Sequence, residues 1–134
     1  MSYQVLFGME HLSKLDTAVS VCFDTETCQL QPEMGKLRLL QLGCRTRKII
    51  VVIDFFQTDE SDWDRLRRFF SNGDRFWLAH NAVFDIAWLQ EYGIHPNPRN
   101  LGCSMLASRL ISNGLPNRKH GLADVVKEHL DIQL

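Results

Sequence analysis

The sequence lacks long hydrophobic runs and has almost no net charge. Its longest apolar stretch, residues 49–53, is far shorter than the ~20 residues that a membrane-spanning helix needs. The N-terminus lacks the charged-then-apolar pattern of a secretory signal. The formal charge of -1 argues against a domain that holds nucleic acid by bulk charge alone. We therefore expect a cytoplasmic protein that makes no membrane contact, and any nucleic-acid contact should be local.

Several other signatures are missing as well. Cys22, Cys28, Cys44 and Cys103 form no Cys-x-x-Cys pair, so neither a zinc ribbon nor a redox motif is indicated. No glycine-rich phosphate loop is present, and no Ser or Cys has a base at a recognisable spacing. With 45% hydrophobic and 23% charged residues, the composition is that of an ordinary globular chain. We expect residues 1–134 to form a single domain.

The first half of the sequence predicts three consecutive strands. Apolar residues alternate or cluster over residues 19–23, 37–42 and 48–53, with a hairpin turn at 45–47. Proline and glycine mark a loop between the first two strands. These three strands should form a meander.

The second half alternates helices with short strands. An amphipathic helix follows Thr58 or Asp59 and ends at residues 72–73. The elements predicted after it are a strand over 75–79, a helix over 82–92, a strand running into a helix over 101–112, and an amphipathic helix over 119–130. This order predicts an α/β fold in which helices pack on a mixed sheet.

Two carboxylates lie close together where the first predicted strand ends. Asp24 and Glu26 are separated by one residue, so strand alternation places both side chains on one face. Two such acids repel each other unless a hard divalent cation that prefers oxygen ligands lies between them. An isolated Asp-x-Glu is also typical of ordinary exposed acids. The pair alone therefore does not decide between these interpretations.

A third acid lies in an apolar helix. Asp85 falls within residues 82–89, which are otherwise apolar and should face the core, and a buried acid needs a partner. Its place in the first helical turn also allows a purely structural role, because the helix dipole favours an anion there. No Lys or Arg lies within a helical turn of it. Metal coordination therefore explains its burial better.

The order of these motifs is similar to that of a known family. The stretch FDTETCQL at 23–30, followed by HNAVFD at 80–85, resembles the first two motifs of the DEDD exonuclease superfamily. CSMLASRL at 103–110 and KHGLADVV at 119–126 resemble the segments that lead to the third motif in ribonuclease D and in the proofreading domains of family A DNA polymerases. The resemblance covers nearly the whole chain.

The resemblance implies a ribonuclease H-like fold and a two-metal hydrolysis. The expected reaction releases nucleoside monophosphates from the 3′ end of a single strand, with Mg2+ or Mn2+ as cofactors. By similarity, Asp24 bridges both ions, Glu26 binds the ion that activates water, and Asp85 holds the second ion through water. DNA is the first expected substrate. Ribonuclease D-like trimming of RNA 3′ ends and a degenerate domain that binds without cutting are the alternatives.

The same resemblance indicates substrate contacts. Thr25 is among them, Leu30 corresponds to an apolar wedge against the terminal base, and Asn81 to an amide near the scissile nucleotide. Phe84 corresponds to an aromatic residue beside it. Apolar and aromatic contacts suit a single strand, because every base offers a π-face. For Leu30 and Phe84, core packing is an equally good interpretation.

The third motif of the family is not recognisable. It reads Tyr-x-x-x-Asp or His-x-x-x-x-Asp, but His120 is followed by Asp124 at four residues instead of five. We expect residues 1–134 to be incomplete at the C-terminal side, without the last helix and the fourth carboxylate. A further C-terminal segment or domain would then supply that acid. A fragment, a naturally short member and an inactive member all fit this interpretation.

Overall fold

The computed structural model describes residues 2–113 and 115–134. It contains six strands: β1 (Gln4–Phe7), β2 (Ser20–Thr27), β3 (Leu37–Cys44), β4 (Ile49–Asp54), β5 (Phe76–Ala79) and β6 (Leu101–Cys103). The described residues also form four α-helices: α1 (Glu60–Phe70), α2 (Ala82–Gln90), α3 (Ser104–Ile111) and α4 (Leu122–Leu130). The α/β fold predicted from the sequence, with its three-strand meander, is confirmed. In the described part of the chain, no helix combines the length and apolarity needed to cross a membrane.

All six strands form one mixed sheet in the order β1-β4-β3-β2-β5-β6. The meander pairs β2 with β3 and β3 with β4 in antiparallel fashion, while β5 runs parallel to β2 and β6 parallel to β5. The carboxyl ends of β2, β5 and β6 therefore meet at one edge of the sheet. Helices α2 and α3 begin at that edge, which is where α/β sheets commonly bind ligands.

Two features of the sheet differ from the sequence prediction. Strand β1 was not predicted, and it pairs in parallel with β4 from Gln4↔Ile49 to Phe7↔Val52. Strand β2 continues through the polar stretch to Thr27, whereas the prediction ended it at Phe23. The cause is backbone pairing with β3, which extends to Thr27↔Leu37 irrespective of side-chain polarity. Asp24 and Glu26 therefore lie within a strand.

The core lies between one face of the sheet and helices α1 and α2. Its centre is an aromatic cluster in which Phe70 stacks on Trp77 at a centroid distance of 4.3 Å. Phe23 of β2 meets both rings edge-on. Such pairs contribute about 0.5–1.5 kcal/mol each beyond the burial of their apolar area. The face of β2 that carries Phe23 is thus fixed towards the core.

A buried arginine holds the segment that leads into β2. Arg75 is 2% exposed, and its guanidinium donates hydrogen bonds to the carbonyls of Ala18, Leu15, Asp16 and Phe69 at 2.8–3.1 Å. The guanidinium also lies 4.0 Å from the Phe69 ring centroid. Burial lowers the pKa of Arg75. These bonds satisfy a charge that would otherwise be costly to bury.

The C-terminal helices pack less closely than the rest. The hydrophobic core cluster contains no residue beyond Ile94 among those described. The amphipathic helix predicted over 119–130 appears as α4, but its apolar residues Leu122 and Leu130 are 49% and 63% exposed. An apolar pattern predicts which face a helix can bury, but not whether a partner covers it.

Candidate active site

Asp24 and Glu26 lie on the exposed face of β2, as strand alternation predicted. Val21, Phe23 and Thr25 alternate with them and point into the core. Across the antiparallel pair, Gln41 stands opposite Asp24, and its Nε2 donates to Asp24 Oδ2 at 3.4 Å. The strand therefore presents two carboxylates to solvent on one side and an apolar surface to the core on the other.

Asp85 is buried, and its partner is a threonine on the neighbouring strand. It lies in the first turn of α2 and is 2% exposed. Asp85 Oδ1 accepts two hydrogen bonds from Thr25, one from the backbone N–H at 2.9 Å and one from Oγ1 at 2.6 Å. The sequence favoured metal coordination because no Lys or Arg lies within a helical turn, but Thr25 gives this buried acid a partner without a metal. Sequence reasoning sought a cation nearby in the helix and missed a hydroxyl that lies 60 residues away.

The sheet explains why Thr25 is free to bind Asp85. Strands β2 and β5 pair only from Ser20↔Phe76 to Cys22↔Leu78. Beyond that point the backbone of β2 has no strand partner on this side, and the carboxylate of Asp85 accepts the Thr25 N–H instead. A buried N–H without a partner would be unfavourable, and so would a buried carboxylate. The contact gives the Thr25 N–H of the strand an acceptor and the Asp85 carboxylate of the helix a donor.

The carboxylates perturb one another. Burial raises the pKa of Asp24 and the negative charge of Glu26 raises it further, while the backbone N–H of Thr25 and the nearby His80 oppose this. Burial raises the pKa of Asp85 to about 6; the hydrogen bonds from Thr25 oppose this, and the charge of Asp24 adds to it. Acids with perturbed pKa values in a cleft are candidates for functional residues, and Asp24 lines such a cleft.

His80 and Ser104 also belong to this region. A groove of about 320 Å3 is lined by Asp24, Gln41, His80 and Ser104 among others. His80 Nδ1 is hydrogen-bonded to Ser104 Oγ at 2.9 Å. Sequence reasoning did not select either residue for the site. The signal was available in part, because His80 follows β5 and Ser104 follows β6, two parallel strands whose carboxyl ends are adjacent.

The four predicted substrate contacts lie in different environments. Leu30 is 83% exposed, which excludes core packing for it, and Asn81 is exposed in a left-handed conformation (φ 60°) without capping α2. Phe84 is half-buried, 6.4 Å from the ring of Trp88. The side chain of Thr25 is 6% exposed and bonded to Asp85, so only the backbone of Thr25 is left for a substrate contact. That contact stays a prediction.

The three acids offer the right type of ligand for a hard divalent cation, but they are not arranged as a preformed metal site. All three acids offer carboxylate oxygens, the ligands that Mg2+ and Mn2+ prefer. Asp24 and Glu26 share one face of β2, whereas Asp85 Oδ1 is already held by Thr25. Within residues 2–113 and 115–134, no three His, Cys, Asp or Glu side chains are grouped closely enough to hold one ion. A metal site at Asp24, Glu26 and Asp85 stays a prediction.

The sequence matches one family. A mixed sheet that presents paired acids beside a buried third acid is an arrangement suited to metal-assisted hydrolysis. Residues 8–134 match the family described as 3′-5′ exonuclease. The chain belongs to this family, whose members are hydrolytic exonucleases. No curated protein matches the sequence.

Solved structures of several exonucleases share the fold. Brucella melitensis NrnC with bound Mg2+ has a TM-score of 0.75 at 23% identity, covering 100% of this chain and 64% of NrnC. The catalytic core of RRP6 from Trypanosoma brucei has a TM-score of 0.80 at 18% identity, covering 98% of this chain and 36% of that one. Escherichia coli RNase D has a TM-score of 0.70 at 22% identity, covering 100% and 35% respectively.

These likenesses confirm the ribonuclease H-like fold. The chain spans less than two thirds of the length of NrnC and about a third of RRP6 and RNase D.

Proposed function

We propose that this chain hydrolyses phosphodiester bonds at the 3′ end of single-stranded DNA and releases nucleoside monophosphates. The observation that carries the proposal is the pair of acids on the open face of β2, Asp24 and Glu26, next to the buried Asp85. It occurs in a chain that belongs to the 3′-5′ exonuclease family. The open face allows a strand end to approach, while the buried acid stays fixed.

The three carboxylates would hold two divalent ions, Mg2+ or Mn2+. Asp24 and Glu26 would contribute oxygens directly, and Asp85 would act through water, as the family resemblance implies. Thr25 binds only Oδ1 of Asp85 and leaves Oδ2 for that contact. When bound, such ions would lower the pKa of an attacking water and stabilise charge on the leaving oxygen. The NrnC structure with bound Mg2+ supports the choice of ion.

Residues around the carboxylates would bind the strand. Leu30 projects into solvent from the loop after β2, where it can wedge against a terminal base. Asn81 precedes α2 with its side chain not engaged in capping, and Phe84 exposes part of its ring one turn before Trp88. Contacts of this kind bind single strands irrespective of sequence.

RNA is the second candidate substrate. Escherichia coli RNase D is an exoribonuclease involved in structured RNA processing, and NrnC has been solved bound to pGG. Both share the fold of this chain. On this alternative the same carboxylates act, and only the sugar at the 3′ end differs.

The family pattern includes a fourth carboxylate that is not recognisable in this sequence. We propose that a segment or domain outside these 134 residues supplies it. Asp124 is a poor substitute because it is exposed on α4 and is not grouped with the other acids.

The test is degradation of single-stranded DNA and RNA, each labelled at the 5′ end, in the presence of Mn2+. The wild-type chain should produce a ladder that shortens from the 3′ end. Asp24→Asn should abolish this ladder. Asp124→Asn removes the same charge from an exposed position on α4 and is the matched control, which should cut normally.

The outcomes separate the alternatives. Faster degradation of RNA than of DNA favours the second substrate. Degradation that persists in Asp24→Asn contradicts the assignment of this acid. If neither polymer is cut while Mn2+ still binds, the chain is a non-cleaving binding domain or needs the missing carboxylate.

A further inference from the structure

Thr25 lies between the two exposed acids of β2, yet its side chain faces the other way. Strand alternation sends Asp24 and Glu26 to solvent and Thr25 into the interior, where it is 6% exposed. A residue in this position cannot touch the substrate with its side chain. It can, however, act on what lies beneath the carboxylate face.

What lies there is Asp85. Thr25 donates two hydrogen bonds to the same oxygen, Oδ1, from its backbone N–H and from its hydroxyl. The hydroxyl bond, at 2.6 Å, is in the short range of charge-assisted O–H···O− bonds. Thr25 does not hold the other oxygen, Oδ2. The arrangement therefore fixes one end of the carboxylate and leaves the second to other partners.

The strand that makes these bonds also carries the other two acids. Strand β2 lies inside the sheet: at Thr25 it is paired with β3 on one side, while its pairing with β5 on the other side ends at Cys22. Asp85 comes from a separate element, α2, which follows β5. The Thr25 contact connects that helix to the strand at the residue between Asp24 and Glu26. It therefore sets where the third carboxylate stands relative to the first two.

We infer that Thr25 is a positioning residue, whose hydroxyl orients Asp85 for the metal site formed with Asp24 and Glu26. The inference rests on the proposed function, because it assigns a role within the same site. Groups that hydrogen-bond a metal-binding side chain commonly tune metal affinity or activity by ~10 to 100-fold. A purely structural threonine would affect stability without this selective effect.

The test compares three variants by Mn2+ calorimetry, by exonuclease kinetics and by thermal unfolding. Thr25→Val keeps the shape and the backbone N–H but removes the hydroxyl, and Thr25→Ser restores the hydroxyl. Thr58→Val is the matched control. Thr58 is half-buried, and like Thr25 its hydroxyl is hydrogen-bonded: Oγ1 donates to Phe55 O and accepts from Trp63 Nε1 away from the site.

Thr25→Val should lower Mn2+ affinity and kcat by ~10 to 100-fold while the KM for the oligonucleotide changes little. Thr25→Ser should recover most of both. Thr58→Val should lose thermal stability and keep its Mn2+ affinity. This pattern separates a hydroxyl that orients Asp85 from one that only holds the fold together.

Two results would overturn the inference. If the wild type binds Mn2+ and Thr25→Val binds it equally well, the hydroxyl does not position Asp85, and the proposed function is untouched. If Ser and Val variants are equally impaired, the methyl group matters instead. A wild-type chain that binds no Mn2+ overturns the proposed function and this inference together.

Discussion

The two faces of β2 accommodate negative charge in different ways. On the open face, Asp24 and Glu26 rely on solvent and repel each other, and this repulsion adds to the raised pKa of Asp24. On the buried face, Asp85 relies on two hydrogen bonds from Thr25. Acids of one candidate site can therefore affect the stability of the fold in opposite directions. Removing an open-face acid relieves repulsion, whereas removing the buried acid leaves polar donors unsatisfied.

The largest expected effect comes from the open face. Glu26→Gln keeps the size of the side chain but removes its charge, so exonuclease activity should fall by more than ~100-fold, beyond what a merely supporting group costs. Thermal stability should not decrease, because Glu26 is exposed and a repulsion is removed. Paired rate and unfolding measurements check both statements. Loss of stability in this variant would mean that the open face is not the simple solvent-exposed surface described.

Substitution of the buried acid Asp85 should instead lower the stability of the fold. Asp85→Ala removes the acceptor of both Thr25 donors, and an unsatisfied buried group costs about 1–3 kcal/mol. Asp85→Asn keeps an oxygen that can accept these bonds and should lose less. Urea unfolding at about pH 4, where Asp85 is protonated in the folded state and buries no charge, compares both variants with the wild type. Equal stability of Asp85→Ala and the wild type would contradict the role assigned to the pair.

The stability of the fold should depend on pH because of Asp85. Burial raises the pKa of Asp85 from 3.8 to about 6, so the folded state binds this proton more tightly than the unfolded state. The resulting stability is fully present below about pH 4 and is lost as pH rises through about 6. The difference between 3.8 and about 6 corresponds to at most ~3 kcal/mol.

The measurement is the free energy of unfolding in metal-free buffer, for the wild type and for Asp85→Asn, at several pH values. The wild type should lose stability relative to the variant between about pH 4 and pH 7. Using the difference between the two chains removes the contribution of Asp24, whose pKa is raised as well. Parallel pH profiles would show that Asp85 does not titrate in this range.

The smallest effect is expected at the edge of the site. Leu30→Ala should raise the KM for single strands about 5-fold, equivalent to ~1 kcal/mol of lost apolar contact, at unchanged stability because Leu30 is 83% exposed. Phe84→Ala should lower both binding and stability, since its ring is half-buried near Trp88. Oligonucleotide kinetics and thermal unfolding separate the two. A stability loss in Leu30→Ala would contradict its exposed position.

Local patterns predicted those features of this molecule that depend on neighbouring residues. Alternation placed Asp24 and Glu26 on one face, and the start of α1 follows from Asp59, which forms a capping box with Asp62. The first-turn position of Asp85 was likewise predictable from the helix that contains it. Each of these outcomes is decided within a few residues of chain.

The missed features depend on contacts between distant segments. Strand β1 joins the sheet through parallel pairing with β4, some 45 residues away, which no local pattern encodes. The family resemblance placed Thr25 among the substrate contacts, and the sequence does not show that a helix 60 residues later turns a carboxylate towards it. The exposure of Leu122 on α4 depends on whether a partner covers it. The pairing of β1, the role of Thr25 and the exposure of Leu122 all depend on contacts between segments that are far apart in the sequence.

The most direct test of the account is to locate Mn2+ by anomalous diffraction in crystals of this chain. We expect Mn2+ bonded at ~2.1 Å to carboxylate oxygens of both Asp24 and Glu26, the octahedral distance of small hard cations. Asp85 should then remain bonded to Thr25 through Oδ1 and approach the ion through water. Ordered Mn2+ bound elsewhere, with Asp24 and Glu26 free of metal, would contradict it.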